Sequence, residues 1–215
     1  MTHTHPARQS TTALTVSSIV LIILGLPALA YEVRGAIDGA TNSTAALAVG
    51  ASCVSALVGL VFLAWLARFT PSILSWIAAF TWGTGGALII AGIGNGVTDA
   101  VIETSISGAQ TADVVTSVVT GPLIEETAKG IGALILILAA RKVLQRPAQG
   151  AVLGGLVGLG FAWGEDIGYY VSALDDGMGG LWESFLARAL LGAFGHAIFT
   201  GVFGFALCWA ILRAK

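Results

Sequence analysis

Apolar residues along the chain form long blocks, without the helical or alternating period of a soluble fold. A helix that crosses a bilayer needs about 20 mostly apolar residues. The blocks predict six spans at 12–31, 45–67, 72–95, 113–140, 148–170 and 184–212. The pattern therefore indicates an all-α fold, a polytopic membrane helical bundle with about six transmembrane helices.

The composition agrees with lipid as the surrounding solvent. Of the 215 residues, 56% are hydrophobic and 10% are charged, whereas a soluble domain carries about 25% charged residues. The connectors between the predicted spans are short and leave no room for a soluble domain. We expect a single integral membrane domain over 1–215, in which 11–95 supplies scaffold helices and 113–212 carries the polar residues.

Charged residues outside the spans predict the orientation of the bundle. The basic ones concentrate at both ends of the chain and in the second and fourth connectors: Arg8, Arg68, Arg141, Lys142, Arg146, Arg213 and Lys215. The other three connectors contain Arg34 as their only basic residue. Since basic residues favour the cytoplasmic side, both termini should be cytoplasmic. The net charge of -2 gives no reason to expect a nucleic-acid partner.

The N-terminal region allows two interpretations. Arg8, the apolar stretch after it and Ala28-Leu29-Ala30 resemble a signal peptide with its cleavage site. The apolar run is longer than a usual signal core, which favours a retained first helix. Either interpretation leaves the later topology unchanged.

The last three predicted spans contain charged or titratable residues. These are Glu125, Glu126, Lys129, Glu165, Asp166, Arg188 and His196. Each costs roughly 2.5 kcal/mol or more at the bilayer centre by insertion scales. So many of them together indicate a function, whereas the first three spans read as packing helices.

A Gly-Pro step at 121–122 precedes the first group of charges. Because proline removes an amide donor and usually kinks or starts a helix, we expect a short outer segment over 113–120 and a main helix from the proline. Glu125 and Glu126 would then lie near the positive end of a helix dipole. Either glutamate can pair with Lys129 on the same helix face. A buried ion pair that holds helices together is the structural alternative to a catalytic role.

Two further motifs lie at a similar depth. Glu165 and Tyr169 share one face of a glycine-rich span, and Arg188 precedes His196 in the last span. A lone histidine in an apolar helix is more often a hydrogen-bonded core residue than a catalyst. Spacing from the span ends nevertheless places Glu125, Glu165 and His196 in the middle to outer half of the membrane, so three helices can converge on one pocket.

Such a pocket can hydrolyse a peptide bond in two ways. A carboxylate shielded from water can accept a proton from an attacking water molecule, while histidine or the cations stabilise the oxyanion. The carboxylates and His196 can instead hold zinc with an open position for water. With one histidine in the spans and no H-E-x-x-H pair, the sequence slightly favours metal-free chemistry. A proton- or ion-coupled transporter also uses intramembrane carboxylates, although no inverted repeat is visible.

The order of the motifs resembles the PrsW family of bacterial intramembrane peptidases and, more distantly, the type II CAAX prenyl endopeptidases. The matching segment is 121–204, where the Glu-Glu pair and lysine, the Gly-Phe-Glu-Tyr motif, and the arginine with Gly-His-Ala follow in that order. The resemblance implies an intramembrane endopeptidase in the bacterial cytoplasmic membrane. Its substrate would be a single-span membrane protein such as an anti-sigma factor, cut at the outer side.

The resemblance also assigns residues. The catalytic positions are Glu125, Glu126, Glu165 and His196. Beyond what the resemblance implies, we expect Lys129, Arg188, Asp166 and Tyr169 to support these positions. The family usually has Glu-Asn where this chain has Glu165-Asp166, and the extra acid could strengthen metal binding or be a silent outer-facing variant. Metal dependence stays open; a metal, with zinc as the candidate, would take Glu126, Glu165 and His196.

Overall fold

The computed structural model describes residues 6–66, 72–105 and 109–214. Within these ranges the chain forms six continuous helical rods and no strand, which confirms the predicted all-α membrane bundle. Arg68 and Lys215, which contributed to the predicted orientation, lie outside the described residues. The orientation itself stays a prediction.

The first three rods form the N-terminal half of the bundle. The first two are single helices, α1 (Pro6–Ala36) and α2 (Asn42–Leu66). The third consists of α3 (Ile73–Thr81) and α4 (Leu88–Ser105), joined by a wide π-helical segment at Trp82–Ala87. Compared with the predicted spans, α1 extends farther at both ends, α2 at its N-terminal end and the third rod at its C-terminal end, because polar residues there continue the helix outside the apolar block.

The last three rods carry the polar motifs. The fourth consists of α5 (Ala109–Val115) and α6 (Gly121–Ala140), joined by a π-helical segment at Thr116–Thr120. The fifth is α7 (Pro147–Ala173). After a short turn, the sixth follows as α8 (Gly177–Ala187), a π-helical segment at Arg188–Gly192, and α9 (Ala193–Arg213).

Four described segments are long and apolar enough to cross a membrane: Thr12–Ala36, Asn42–Leu66, Ile73–Ser105 and Phe194–Arg213. The fourth and fifth rods, which are not among these four, contain the carboxylates and the lysine. The chain is thus a helical membrane protein, and its count of six spans stays a prediction.

The predicted break at the Gly-Pro step is wrong. The helix continues through it by widening one turn over Thr116–Thr120, and the Gly121 amide donates to the Thr116 carbonyl. A π-helical turn separates successive backbone groups enough to accommodate a proline that lacks its amide donor. Glu125 and Glu126 therefore follow a continuous helix and do not lie at a free N-terminal end, as the sequence suggested.

Helix α7 lies at the centre of the bundle, where it packs against α9, α2 and the third rod. Glycines spaced by four residues on α7 allow close contact with α9. A Cβ atom on Gly150, Gly154 or Gly158 would overlap a backbone carbonyl of α9, that of Gly204, Thr200 or His196 respectively. This contact of small residues sets His196 directly beside α7.

Helix α6 is held against the third rod by a buried hydrogen bond. The Trp82 indole Nε1 donates to the Ala128 carbonyl at 3.1 Å, and the ring covers Gly132, where a Cβ would overlap it. Since Ala128 precedes Lys129, this contact positions the helix face that carries the lysine.

Candidate active site

The three polar motifs meet in one cluster inside the bundle. Helix α6 contributes Glu125, Glu126 and Lys129, helix α7 contributes Glu165 and Asp166, the π-helical segment before α9 contributes Arg188, and α9 contributes His196 and Thr200. The convergence of the three helices predicted from motif depth is thus seen in the structure.

Lys129 is the centre of the cluster. Its side chain is fully buried, and its Nζ lies 2.6 Å from Glu126 Oε1 and 3.6 Å from Glu125 Oε2. Nζ also lies 2.7 Å from His196 Nδ1 and 4.1 Å from the centroid of the Phe161 ring. Because an unpaired buried ammonium is very costly, the two glutamates stabilise the lysine, and the lysine holds them in place.

His196 connects the α6 glutamates to Glu165. An ammonium has only donors, so Nδ1 accepts from Lys129 and the proton of a neutral ring resides on Nε2. Nε2 lies 3.3 Å from Glu165 Oε2. The ring packs against Phe161, with centroids 5.2 Å apart. These contacts determine both the tautomer and the direction of the imidazole.

Arg188 bridges the two acids of α7. Its guanidinium forms ion pairs with Glu165 and Asp166 and stacks on the Tyr169 ring, 3.9 Å from the centroid. Asp166 is fully buried, so it is not the silent outer-facing variant that the sequence allowed. Tyr170 donates to Asp166 at 3.5 Å. Arg188 and His196 therefore both contact the same oxygen of Glu165, Oε2.

The structure brings all four predicted catalytic residues into this cluster, although their individual roles stay predictions. Of the predicted supporting residues, Lys129, Arg188 and Asp166 pair with charged groups of the cluster. Tyr169 contacts Arg188 and is otherwise half exposed.

Sequence reasoning assigned no role to two residues that the structure places in the cluster. Thr200 donates to Glu126 Oε2 at 3.0 Å, and Phe161 packs against Lys129 and His196. The spacing offered a signal for Thr200, because it lies four residues after His196 and hence on the same helix face.

Among the described residues, Glu125, Glu165 and His196 form a group that can hold a metal, and their ligand atoms all lie within 4.8 Å of one another. The prediction of Glu126 as a metal ligand is not supported by this geometry, because Lys129 and Thr200 contact its two oxygens. Two carboxylates and an imidazole fit zinc, which accepts oxygen and nitrogen ligands. One feature is unusual, because the second ring nitrogen of a ligating histidine normally donates to an acceptor, whereas here it faces Lys129.

A cleft of about 550 Å³ opens beside the cluster, between the fourth rod and α9. Its polar lining consists of Glu125, Glu126 and His196. Its remaining lining is apolar or glycine: Val118, Val119, Pro122, Leu123, Gly192, Gly195 and Phe199. Glu126 is 34% exposed and Glu125 is 18% exposed, so a molecule in the cleft can reach both carboxylates.

The chain matches the model of a known protein family. The model of the family described as PrsW family intramembrane metalloprotease matches residues 71–215, more than half of the chain. This range includes every residue of the cluster and confirms the resemblance predicted from the motifs. The comparisons with curated proteins and with solved structures give no match.

Proposed function

The chain belongs to the PrsW family of intramembrane metalloproteases, and we propose that it is an active endopeptidase that hydrolyses a peptide bond of a membrane-protein substrate. One observation carries the proposal. Glu125, Glu126 and His196 line a single cleft, and Glu165 adjoins it through its contact with His196. Hydrolysis needs a water molecule, a base for its proton and donors for the carbonyl oxygen, and the cluster offers these groups.

Glu125 is the better candidate for the base. Both oxygens of Glu126 are held, one by Lys129 at 2.6 Å and the other by Thr200 at 3.0 Å. The Glu125 carboxylate lies farther from Lys129, at 3.6 Å, and lines the same cleft. We assign to Glu125 the acceptance of a proton from the attacking water, and to Glu126 the positioning of Lys129.

In this reaction the water oxygen bonds to the substrate carbonyl carbon while its proton passes to Glu125. The negative charge that develops on the carbonyl oxygen is stabilised by the positive charge of Lys129 and by His196, which act in a site shielded from water. The carbon–nitrogen bond then breaks, and the proton held by Glu125 passes to the leaving amine.

A metal ion at Glu125, Glu165 and His196 would supply Lewis acidity and an activated water. The description of the family as metalloproteases supports this version. In either version Arg188 holds Glu165 and Lys129 holds Glu126, so the positions of these carboxylates are set by the chain itself.

The substrate and the side of cleavage belong to the same proposal. We assign a single-span, anti-sigma-factor-like substrate, a location in the bacterial cytoplasmic membrane, and both termini on the cytoplasmic side. The basic connector that begins at Arg141 supports this orientation. Glu125 lies about 24 Å from Arg141 along the helix, at 1.5 Å per residue, and this distance supports cleavage in the outer half of the membrane.

The test is cleavage of a library of single-span membrane proteins, including anti-sigma factors, by the purified protein in lipid vesicles. Wild type is compared with Glu125→Gln and His196→Ala, with and without a zinc chelator. Loss of cleavage in both variants supports the peptidase. Intact substrates throughout, together with proton uptake by the vesicles that Glu125→Gln abolishes, would refute it in favour of an ion-coupled transporter.

A further inference from the structure

We infer that the substrate reaches the cluster sideways from the lipid, through the cleft between the fourth rod and α9, and that its backbone passes over Gly195. We call this cleft the entry cleft; its lining residues are those given above. The inference rests on the proposed peptidase function and adds to it the path and the conformation of the substrate.

The rim of the entry cleft is apolar and faces outward. Leu123 on α6 is 64% exposed, and Phe199 on α9 is 68% exposed. Exposed apolar side chains on a membrane helix can contact lipid or a second transmembrane segment. The same cleft is lined by Glu125, Glu126 and His196, so a continuous path leads from the lipid-facing rim to the catalytic groups.

The polar lining decides what can fill the entry cleft. A carboxylate in contact with acyl chains is costly, and Glu126 is part-exposed in this cleft. Lipid tails are therefore a poor occupant. A peptide segment with its helix locally unwound is a better one, because its free amide groups can hydrogen-bond to the carboxylates while its flanking side chains contact Leu123 and Phe199.

Both walls of the entry cleft are widened at the same place. The π-helical segment Thr116–Thr120 lies in one wall, and the π-helical segment Arg188–Gly192 leads into the other. Such wide turns occur frequently at functional sites. We infer that the two π-helical segments make the cleft wider than two regular α-helices would.

Packing between the described helices does not require a glycine at position 195. A Cβ atom built on it meets no atom within 4 Å, whereas one built on Gly158 would overlap the His196 carbonyl. Glycine in a helix costs about 1 kcal/mol relative to alanine, and no contact among the described residues requires it here. Next to His196, the empty space above Gly195 suits the backbone of an extended substrate.

A second groove provides the comparison. It lies between α2 and α9, has a volume of about 240 Å³, and is lined by Phe62, Phe194, Val202 and other residues, none of them charged. Val202 is 63% exposed, nearly as much as Phe199, and lies three residues farther along the same helix. Because this groove contains no catalytic group, lipid suits it, and we expect no substrate there.

The first experiment enlarges Gly195 stepwise. Gly195→Ala, Gly195→Leu and Gly195→Trp should lower kcat/KM progressively, by about a hundredfold for tryptophan, since small displacements of a reacting group cost that much. The control series places the same residues at Gly96, an exposed helical glycine whose Cβ also meets nothing within 4 Å. Equal activities in the two series, with both folded by circular dichroism, would overturn the inference.

The second experiment measures binding without catalysis. The probe is a synthetic peptide with about 20 apolar residues, a central Gly-Ser pair and one cysteine. Disulfide formation with Phe199→Cys is compared with that of Val202→Cys in a Cys53→Ala background, because Cys53 is exposed and Cys208 is buried. Several-fold faster crosslinking at Phe199 supports the entry cleft, and equal or reversed rates overturn it.

The two experiments separate the inference from the proposed function. If the wild type cleaves, the Gly195 variants cleave as fast, and crosslinking does not favour position 199, the entry cleft is refuted and the peptidase function stands. Selective crosslinking at Phe199 without any cleavage by wild type refutes the peptidase. Selective crosslinking with cleavage that falls as Gly195 grows supports both.

Discussion

Replacement of Lys129 by methionine tests the electrostatic structure of the site. Methionine has a similar shape and no charge, so the change removes the ammonium while it keeps most of the packing. Lys129 is fully buried and lies 2.6 Å from Glu126, 3.6 Å from Glu125 and 2.7 Å from His196. Without it, two carboxylates and a ring nitrogen lose their shared partner.

The expected loss of stability is large. Removal of one partner from a buried ion pair costs about 3–5 kcal/mol, because the remaining charge is left uncompensated. We expect Lys129→Met to lower the free energy of unfolding by this amount, and to abolish cleavage because Glu126 and the histidine ring lose their positions. The matched control is Lys142→Met, which removes an exposed lysine of the connector after α6 and should change stability little.

The assay is reversible unfolding of the purified protein in mixed micelles, with helix content as the signal. A second variant, Lys129→Met with Glu126→Gln, removes one of the uncompensated charges and should recover part of the lost stability. If Lys129→Met were as stable as wild type, or if Glu126→Gln lowered its stability further, the lysine would not be the charge that stabilises the cluster.

Further predictions concern single parts of the site. Glu125→Gln should lower kcat by about 10²–10⁴-fold, the usual effect of losing a general base, whereas Glu126→Gln should keep more activity; the reverse order in a kinetic assay would exchange their roles. Arg188→Lys should reduce kcat/KM, because lysine cannot bridge two carboxylates as a guanidinium does, while the exposed Arg213→Lys should not. If the metal version holds, a zinc chelator should stop cleavage and added zinc should restore it; unchanged rates in a metal-free preparation would favour the metal-free version. Gly154→Val should destabilise the bundle by about 1–3 kcal/mol in unfolding experiments, because its side chain would force α9 away from α7.

The sequence was sufficient for the fold class and for the identity of the cluster. In a bilayer every backbone group must be satisfied within its own helix or barrel, so long apolar blocks predict helices without reference to their neighbours. Charged residues within such blocks are costly wherever they point. Glu125, Glu126, Glu165 and His196 could therefore be singled out before any contact was known.

The sequence was not sufficient where contacts between helices decide the outcome. The spacing allowed Lys129 to pair with either Glu125 or Glu126. In the structure Lys129 lies closer to Glu126, whose other oxygen accepts a hydrogen bond from the Thr200 hydroxyl of α9. The predicted break at the Gly-Pro step failed because a wide turn accommodates the proline. The sequence did not decide whether the Asp166 side chain faces outward, and in the structure it is buried against Arg188.

The sequence by itself determined that this chain is a helical membrane protein with a polar site. Lipid leaves backbone groups outside a helix or barrel unsatisfied, and it makes charged residues within a span costly unless they face a polar interior. The tertiary structure alone decided which of the two α6 glutamates joins Glu165 and His196 in the group that could hold a metal, and where the cleft opens. The physical reason is that both depend on how α9 packs on α7. Glycines 150, 154 and 158 set that contact through backbone atoms, and no residue pattern within one helix encodes it.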